Sequence, residues 1–250
     1  MKPAGARLGT KLLILVLSVI AGSVDVIGFL GLGALFIAHI TGNLVVLAAR
    51  IAAGEHASAA HLLSVPVFLI ALFAVRLMAA TLDRFGIATL RPLLLLQFLF
   101  LAGFLAISIE AASPTDPSAA VMIIAAMLGV SAMAVQNILV QISFREAPST
   151  AVMTTNLTRF VVDLGEVWYG SDPAARAKAV ARARRTGLAI AGFVVGACLG
   201  AWCQMHLGPW SLAIPTGLAL AALAITCCSD GFVQAADPAS SSAFGASCGS

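Results

Sequence analysis

Between Leu12 and Ala49 the chain carries a single formal charge, Asp25, and no straight helix can hold that whole run inside a bilayer. At ~1.5 Å rise per residue it would be about 57 Å long, nearly twice the ~30 Å hydrocarbon core. The run must tilt hard, break, or cross and partly return. Gly31, Gly33 and Gly42 offer places to break, and polar residues interrupt the same stretch at His39, Thr41 and Asn43.

The rest of the chain shows which solvent this run meets. Of 250 residues, 60% are hydrophobic and only 10% charged, whereas soluble domains carry about 25% charged residues. Long unbroken apolar runs, without period-2 alternation, argue against a β-barrel and predict an all-α, polytopic transmembrane helix bundle. Lys2, Arg7 and Lys11 ahead of an apolar stretch, with Val19-x-Ala21, imitate a secretory signal. The apolar run continues far past Ala21, so an uncleaved first helix is expected. The five Cys (Cys198, Cys203, Cys227, Cys228, Cys248) form no ligand pattern, and neither a metal, another cofactor nor a disulfide framework is expected.

Apolar segments map to Leu12–Ala49, Leu62–Leu82, Pro92–Ile109, Ser118–Ile142, Thr150–Val167, Gly187–Met205 and Trp210–Cys227. Charge placement chooses the topology. If the second part of the first run and Thr150–Val167 do not fully cross, six spans result, with both termini cytoplasmic. Twelve Lys and Arg then face the cytoplasm, Arg50 alone faces out, and Arg159 stays in an apolar segment. If both segments cross, eight spans result and the split falls to nine against four. The six-span reading is preferred, with residues 1–228 as one transmembrane domain, in halves of about 12–110 and 118–228. Residues 229–250, rich in Ala, Ser and Gly, read as a disordered tail. The basic segment Ser171–Gly187 reads as a cytoplasmic loop that follows the positive-inside rule, with lipids rather than nucleic acid as its partner.

The halves echo one another. Ile40-Thr41-Gly42-Asn43-Leu44 is matched by Met153-Thr154-Thr155-Asn156-Leu157, and each motif ends an interrupted hydrophobic element followed by two further spans. Three spans per half would send the halves into the membrane in opposite directions. Such a 3+3 inverted repeat with interrupted helices is the architecture of many secondary transporters. The two motifs would be paired breaks meeting near the middle.

The stretch AGSVDVIGFLGLGALFIAHITGNLV, with Asp25, Phe36, His39 and Thr41-Gly42-Asn43, resembles the YoaK-like family of bacterial inner-membrane proteins, a domain of unknown function. The likeness covers about residues 12–228. It implies a multi-span protein of the bacterial inner (plasma) membrane and brings no substrate or catalytic residue. The second half departs from strict symmetry: Thr155 stands where the first half has Gly42, and no Asp aligns with Asp25.

Polar side chains inside the spans are the candidate substrate- or ion-binding residues. A charged Asp25 would cost ~2.5–3.5 kcal/mol at mid-span, so it must pair, face a cavity or stay protonated. Its structural alternative is a hydrogen bond to another helix. His39 could relay protons or simply pack, and it shares a face with Asn43 if that turn is helical. Thr41 and Asn43, like Thr154 and Asn156, could meet a solute or cap a helix. Asn137 and Gln141 share a face while Gln136 points about 100° away; interhelical amide bonds are the plain alternative. Arg159 and Asp163, four apart, are expected to neutralise each other. Gly192, Gly196 and Gly200 form a small-residue face for close helix approach, within one chain rather than in a homodimer, although a homodimer stays open.

These features predict a small secondary transporter for an unknown small solute or ion. The alternatives are a membrane enzyme using Asp25 and His39, and a non-transporting scaffold subunit. No HExxH, GxSxG or Walker loop supports an enzyme, and the expectation is that it is not one.

Overall fold

A computed structural model describes residues 4–55, 58–111, 119–144, 147–151 and 154–228. The tail read as disordered, together with Lys2, Arg145 and Met153, lies outside the described residues. Every described element is helical: α1 (Ala4–Gly31), α2 (Ile40–Ala52), α3 (Ala59–Arg84), α4 (Leu90–Ala111), α5 (Ala119–Ser143), α6 (Thr154–Tyr169), α7 (Pro173–Leu207) and α8 (Ala213–Cys228). A 3₁₀ turn, Gly208–Leu212, joins the last two.

Five helical stretches are long and apolar enough to cross a membrane, and the last of them, Pro173–Cys227, holds both α7 and α8. Large apolar side chains such as Leu69, Ile70 and Phe73 of α3 remain exposed, as they do where lipid is the solvent. The chain is a polytopic helical membrane protein. Its core is centred on α1, where Leu13, Leu17, Ile20, Val24 and Ile27 recur at helical spacing and are all buried.

Contacts along the helices fix their directions. Leu15, Val19 and Ser23 of α1 meet Gly192, Gly196 and Gly200 of α7 in rising order, so these helices run parallel. The small-residue face therefore packs within the chain. An added Cβ at Gly200 would lie 2.7 Å from the Ser23 carbonyl oxygen, so only glycine admits the α1 backbone this closely. On α5, Gln136 reaches the Leu17 carbonyl, whereas Met122, near the other end, shares a cavity with Gly31 and Leu32. Hence α1 and α5 are antiparallel. Arg91 and Thr226 meet at one end of the α4–α8 pair, and Leu101 meets Thr216 further along, so that pair is antiparallel too.

The contacts repeat across the halves. α1 packs on α7 as α5 packs on α3; α1 meets α8 as α5 meets α4; α2 lies on α3 as α6 lies on α7. With α1 and α5 opposed, this is an inverted repeat of four helices per half, in which the short α2 corresponds to α6.

One segment differs from its reading in the sequence. The basic stretch at 171–187 is not a loop: α7 begins at Pro173 and runs unbroken into the apolar part. Asp172 caps it by accepting from the Ala174 and Ala175 amides, Pro173 occupies the first turn, and an Ala-rich composition carries the helix through the charges.

Candidate functional site

The long first run breaks after Gly31. Gly33 and Ala34 both take left-handed backbone, with φ of 67° and 66°, and turn the chain back along α1. This is a sharp reversal, and for Ala34 a costly one, since a left-handed L-residue loses ~1–2 kcal/mol. Tertiary bonds hold it: Arg50 Nη2 donates to the Gly33 carbonyl at 2.7 Å, and His61 Nε2 lies 3.1 Å from the Ala34 carbonyl.

The returning segment then reaches Asp25, which lies six residues before the end of α1, about 9 Å down its axis. One oxygen of Asp25 accepts from the amides of Ile37, Ala38 and His39 at 2.9, 2.7 and 3.1 Å. The other lies 2.6 Å from His39 Nδ1. From this depth α2 starts, and its far end brings Arg50 back beside Gly33. The segment therefore enters and leaves at the same end of the bundle. At ~1.5 Å per residue, α2's 13 residues reach only about 20 Å, too short to cross.

Asn43 closes this hairpin. Its Oδ1 accepts from the Phe36 amide and its Nδ2 donates to the Phe36 carbonyl, both at 2.8 Å. His39 sits in the non-helical cap of α2, with φ −98° and ψ 65°, so it does not share a helix face with Asn43. Its ring packs edge-on to Phe193 of α7 at 5.4 Å.

The second half repeats the construction. After α5 the chain turns back until the Thr150 hydroxyl accepts from Gln136 Nε2 at 2.8 Å, seven residues before the end of α5. Asn156 Nδ2 then donates to the Ser149 carbonyl at 2.8 Å. Both asparagines thus grip the backbone seven residues upstream. Gln136 stands close to the level that Asp25 holds in the first half, with an amide in place of the carboxylate.

Gln136 is also the junction between halves. It donates to the Leu17 carbonyl of α1 at 2.9 Å and accepts from Gln97 Nε2 of α4 at 2.6 Å. Gln97 is fully buried, and its Oε1 has no partner among the described residues. Asn137, Gln141, Ser149 and Thr150 line a cavity of about 440 Å³ at the C-terminal end of α5. A smaller cavity of about 90 Å³, lined in part by Ser108 and Gln204, lies at the opposite end beside Gly31.

Several candidate residues are placed elsewhere than the sequence suggested. Asp163 does not pair with Arg159, which is exposed. Its partner is Arg182 of α7, whose Nη2 and Nε lie 2.6 and 2.8 Å from one carboxylate oxygen. The local i, i+4 rule lost to the packing of α6 on α7. Thr41, Asn43, Thr154 and Asn156 are not gathered round one cavity: both threonines are exposed, and each asparagine is closed onto its own loop. Gln97, His61 and Thr150 were missed as candidates. A polar residue within LLLLQFLF, or a His at the start of an apolar span, carries the same signal that marks Asp25. Among the described residues no three His, Cys, Asp or Glu side chains come together to hold a metal.

A family model described as "Protein of unknown function (DUF1275)" matches residues 13–225, and the chain belongs to that family. No curated protein and no solved structure matches.

Proposed function

We propose that this member of the DUF1275 family is a small secondary transporter, moving a polar solute between its two inverted halves. One observation carries the reading: two hairpins of the same design enter the bundle from opposite ends, each closed by an asparagine onto the backbone seven residues upstream. Non-helical backbone at membrane depth is tolerated only where protein buries it or where it lines a cavity. Paired breaks at inverted-repeat interfaces are how transporters place solutes near the midplane. The inequality of the cavities, about 440 Å³ at one end and 90 Å³ at the other, fits a form open to one side.

Charge supports an orientation. Lys11, Arg84, Arg91 and the basic start of α7 gather at the end where the larger cavity opens, while Arg50 lies at the other. By the positive-inside rule the larger cavity faces the cytoplasm of a bacterial inner membrane, with both termini on that side. The enzyme alternative is weakened because Asp25 already receives three backbone amides and the His39 ring.

Uptake of labelled polyols, sugars, amino acids, organic acids and alkali cations into proteoliposomes tests the reading. Saturable uptake of one class, at least tenfold above protein-free vesicles, is expected. No uptake of any member, with a stoichiometric partner copurifying, would favour a scaffold.

A further inference from the structure

The geometry points to the Asp25–His39 pair of the first hairpin as a proton-binding site, with the proton as the coupling ion of transport. This rests on the transport reading and names what drives it. One Asp25 oxygen accepts three amides, and the other lies 2.6 Å from His39 Nδ1. As the carboxylate accepts from all four, His39 carries its proton on Nδ1, and a second proton binds at Nε2. The pair then passes from one negative charge to none, while every bond to the loop is kept. His39 is the member that a proton can reach: its side chain is 26% exposed, against 5% for Asp25. An imidazole is also the side chain whose ordinary charge change falls between about pH 5 and 8.

Holding a hairpin at this depth does not by itself require an ionisable pair. At the matching level of the second half, Gln136 and the Thr150 hydroxyl anchor the chain without one. The charge on His39 is also felt between the halves. Its ring packs against Phe193 of α7, a second-half helix, at 5.4 Å and 78°. It occupies the N-cap of α2, where positive charge opposes the helix dipole. Protonation therefore alters how α2 and α7 seat on α1, which is where inverted halves have to move. The charged or titratable groups facing this region are Asp25 from α1, Arg50 from α2 and His61 from α3. The last two are bonded to the Gly33 and Ala34 carbonyls, and along α7 the nearest in sequence to Phe193 are Cys198 and Arg185.

The test uses the full chain in proteoliposomes. Nitrogen-15 NMR of labelled histidine follows the ring nitrogens from about pH 5 to 8. The His39 signal is the one that persists in each of His56→Gln, His61→Gln and His206→Gln. Nδ1 should keep its proton throughout, while Nε2 gains one reversibly as the pH falls. No change at His39 across the range, or a neutral ring with its proton on Nε2, overturns the proposal. Uptake of the same solute panel is then measured with and without an acid-outside gradient, at clamped membrane potential and corrected for protein-free vesicles. The gradient should change the rate of the transported class at least threefold. In His39→Gln, with folding checked by size-exclusion chromatography, the two rates should be equal. A gradient effect that survives in this variant places the proton elsewhere and defeats the assignment. The NMR and wild-type measurements decide even if the variant fails to fold. If wild-type uptake ignores the gradient, transport stands and proton coupling fails. If His39 titrates as expected but no solute moves, the proton site stands, and the transport reading fails together with the coupling.

Discussion

Removing the Asp25 carboxylate would strip the acceptor from three amides, those of the buried Ile37 and Ala38 and of the half-buried His39. Each buried unsatisfied donor costs ~1–3 kcal/mol, so Asp25→Ala should be severely destabilising. Asp25→Asn keeps an amide oxygen for the three N–H groups and should be milder. A thermal melt of the detergent-solubilised protein should rank wild type above Asp25→Asn and Asp25→Asn above Asp25→Ala. Equal melts would mean that the loop does not depend on this residue. If Asp25→Asn folds but loses only solute uptake, the carboxylate takes part in transport as well as in holding the loop. Asn43 and Asn156 invite a similar comparison, because Asn43 grips both polar groups of Phe36 while Asn156 has one described bond, to Ser149. Asn43→Ala should therefore lower the melting temperature more.

At the scale of elements, the tightest junction is that of α1 with α7. A Cβ at Gly196 would strike the Val19 carbonyl, while one at Gly217 of α8 meets nothing within 4 Å. Both changes gain up to ~1 kcal/mol of helix propensity, but overpacking a close backbone contact costs ~1–3 kcal/mol. Gly196→Ala should lose stability and Gly217→Ala should hold or gain it, as read by the same melt; a loss at Gly217 would point to a contact on that face. This junction was legible in the sequence because glycines four apart declare a close face. The break near HITGN was legible too, since a run of that length cannot be one span. What it packs against was not. Asp25 meets amides 12 to 14 residues onward, through a reversal that needs left-handed backbone at Ala34, and no spacing rule reaches that far. The charges ahead of Gly187 misled for two reasons. They made the start of α7 look like a loop, and they hid Arg182 as the partner of Asp163 behind the nearer Arg159.

For the molecule as a whole, the inverted arrangement makes a geometric demand that can be measured. α1 and α7 run one way and α5 the other, so the hairpin that follows α1 and the hairpin that follows α5 must open on opposite sides of the membrane. Glu55, just past α2, then shares a side with the end of α1, while Arg84 and Lys178 lie at the opposite end, the first at the close of α3 and the second near the start of α7. If the basic end is cytoplasmic, a membrane-impermeant maleimide added to intact cells should label Glu55→Cys in a background lacking native cysteines. Arg84→Cys and Lys178→Cys should react only after the membrane is opened. Labelling of all three from outside, or of Glu55→Cys only after lysis, would contradict the orientation. Should Glu55→Cys and Lys178→Cys react from the same side, the failure would be deeper: α2 would not return to the end of α1, and the first hairpin would cross the membrane instead of opening on one face.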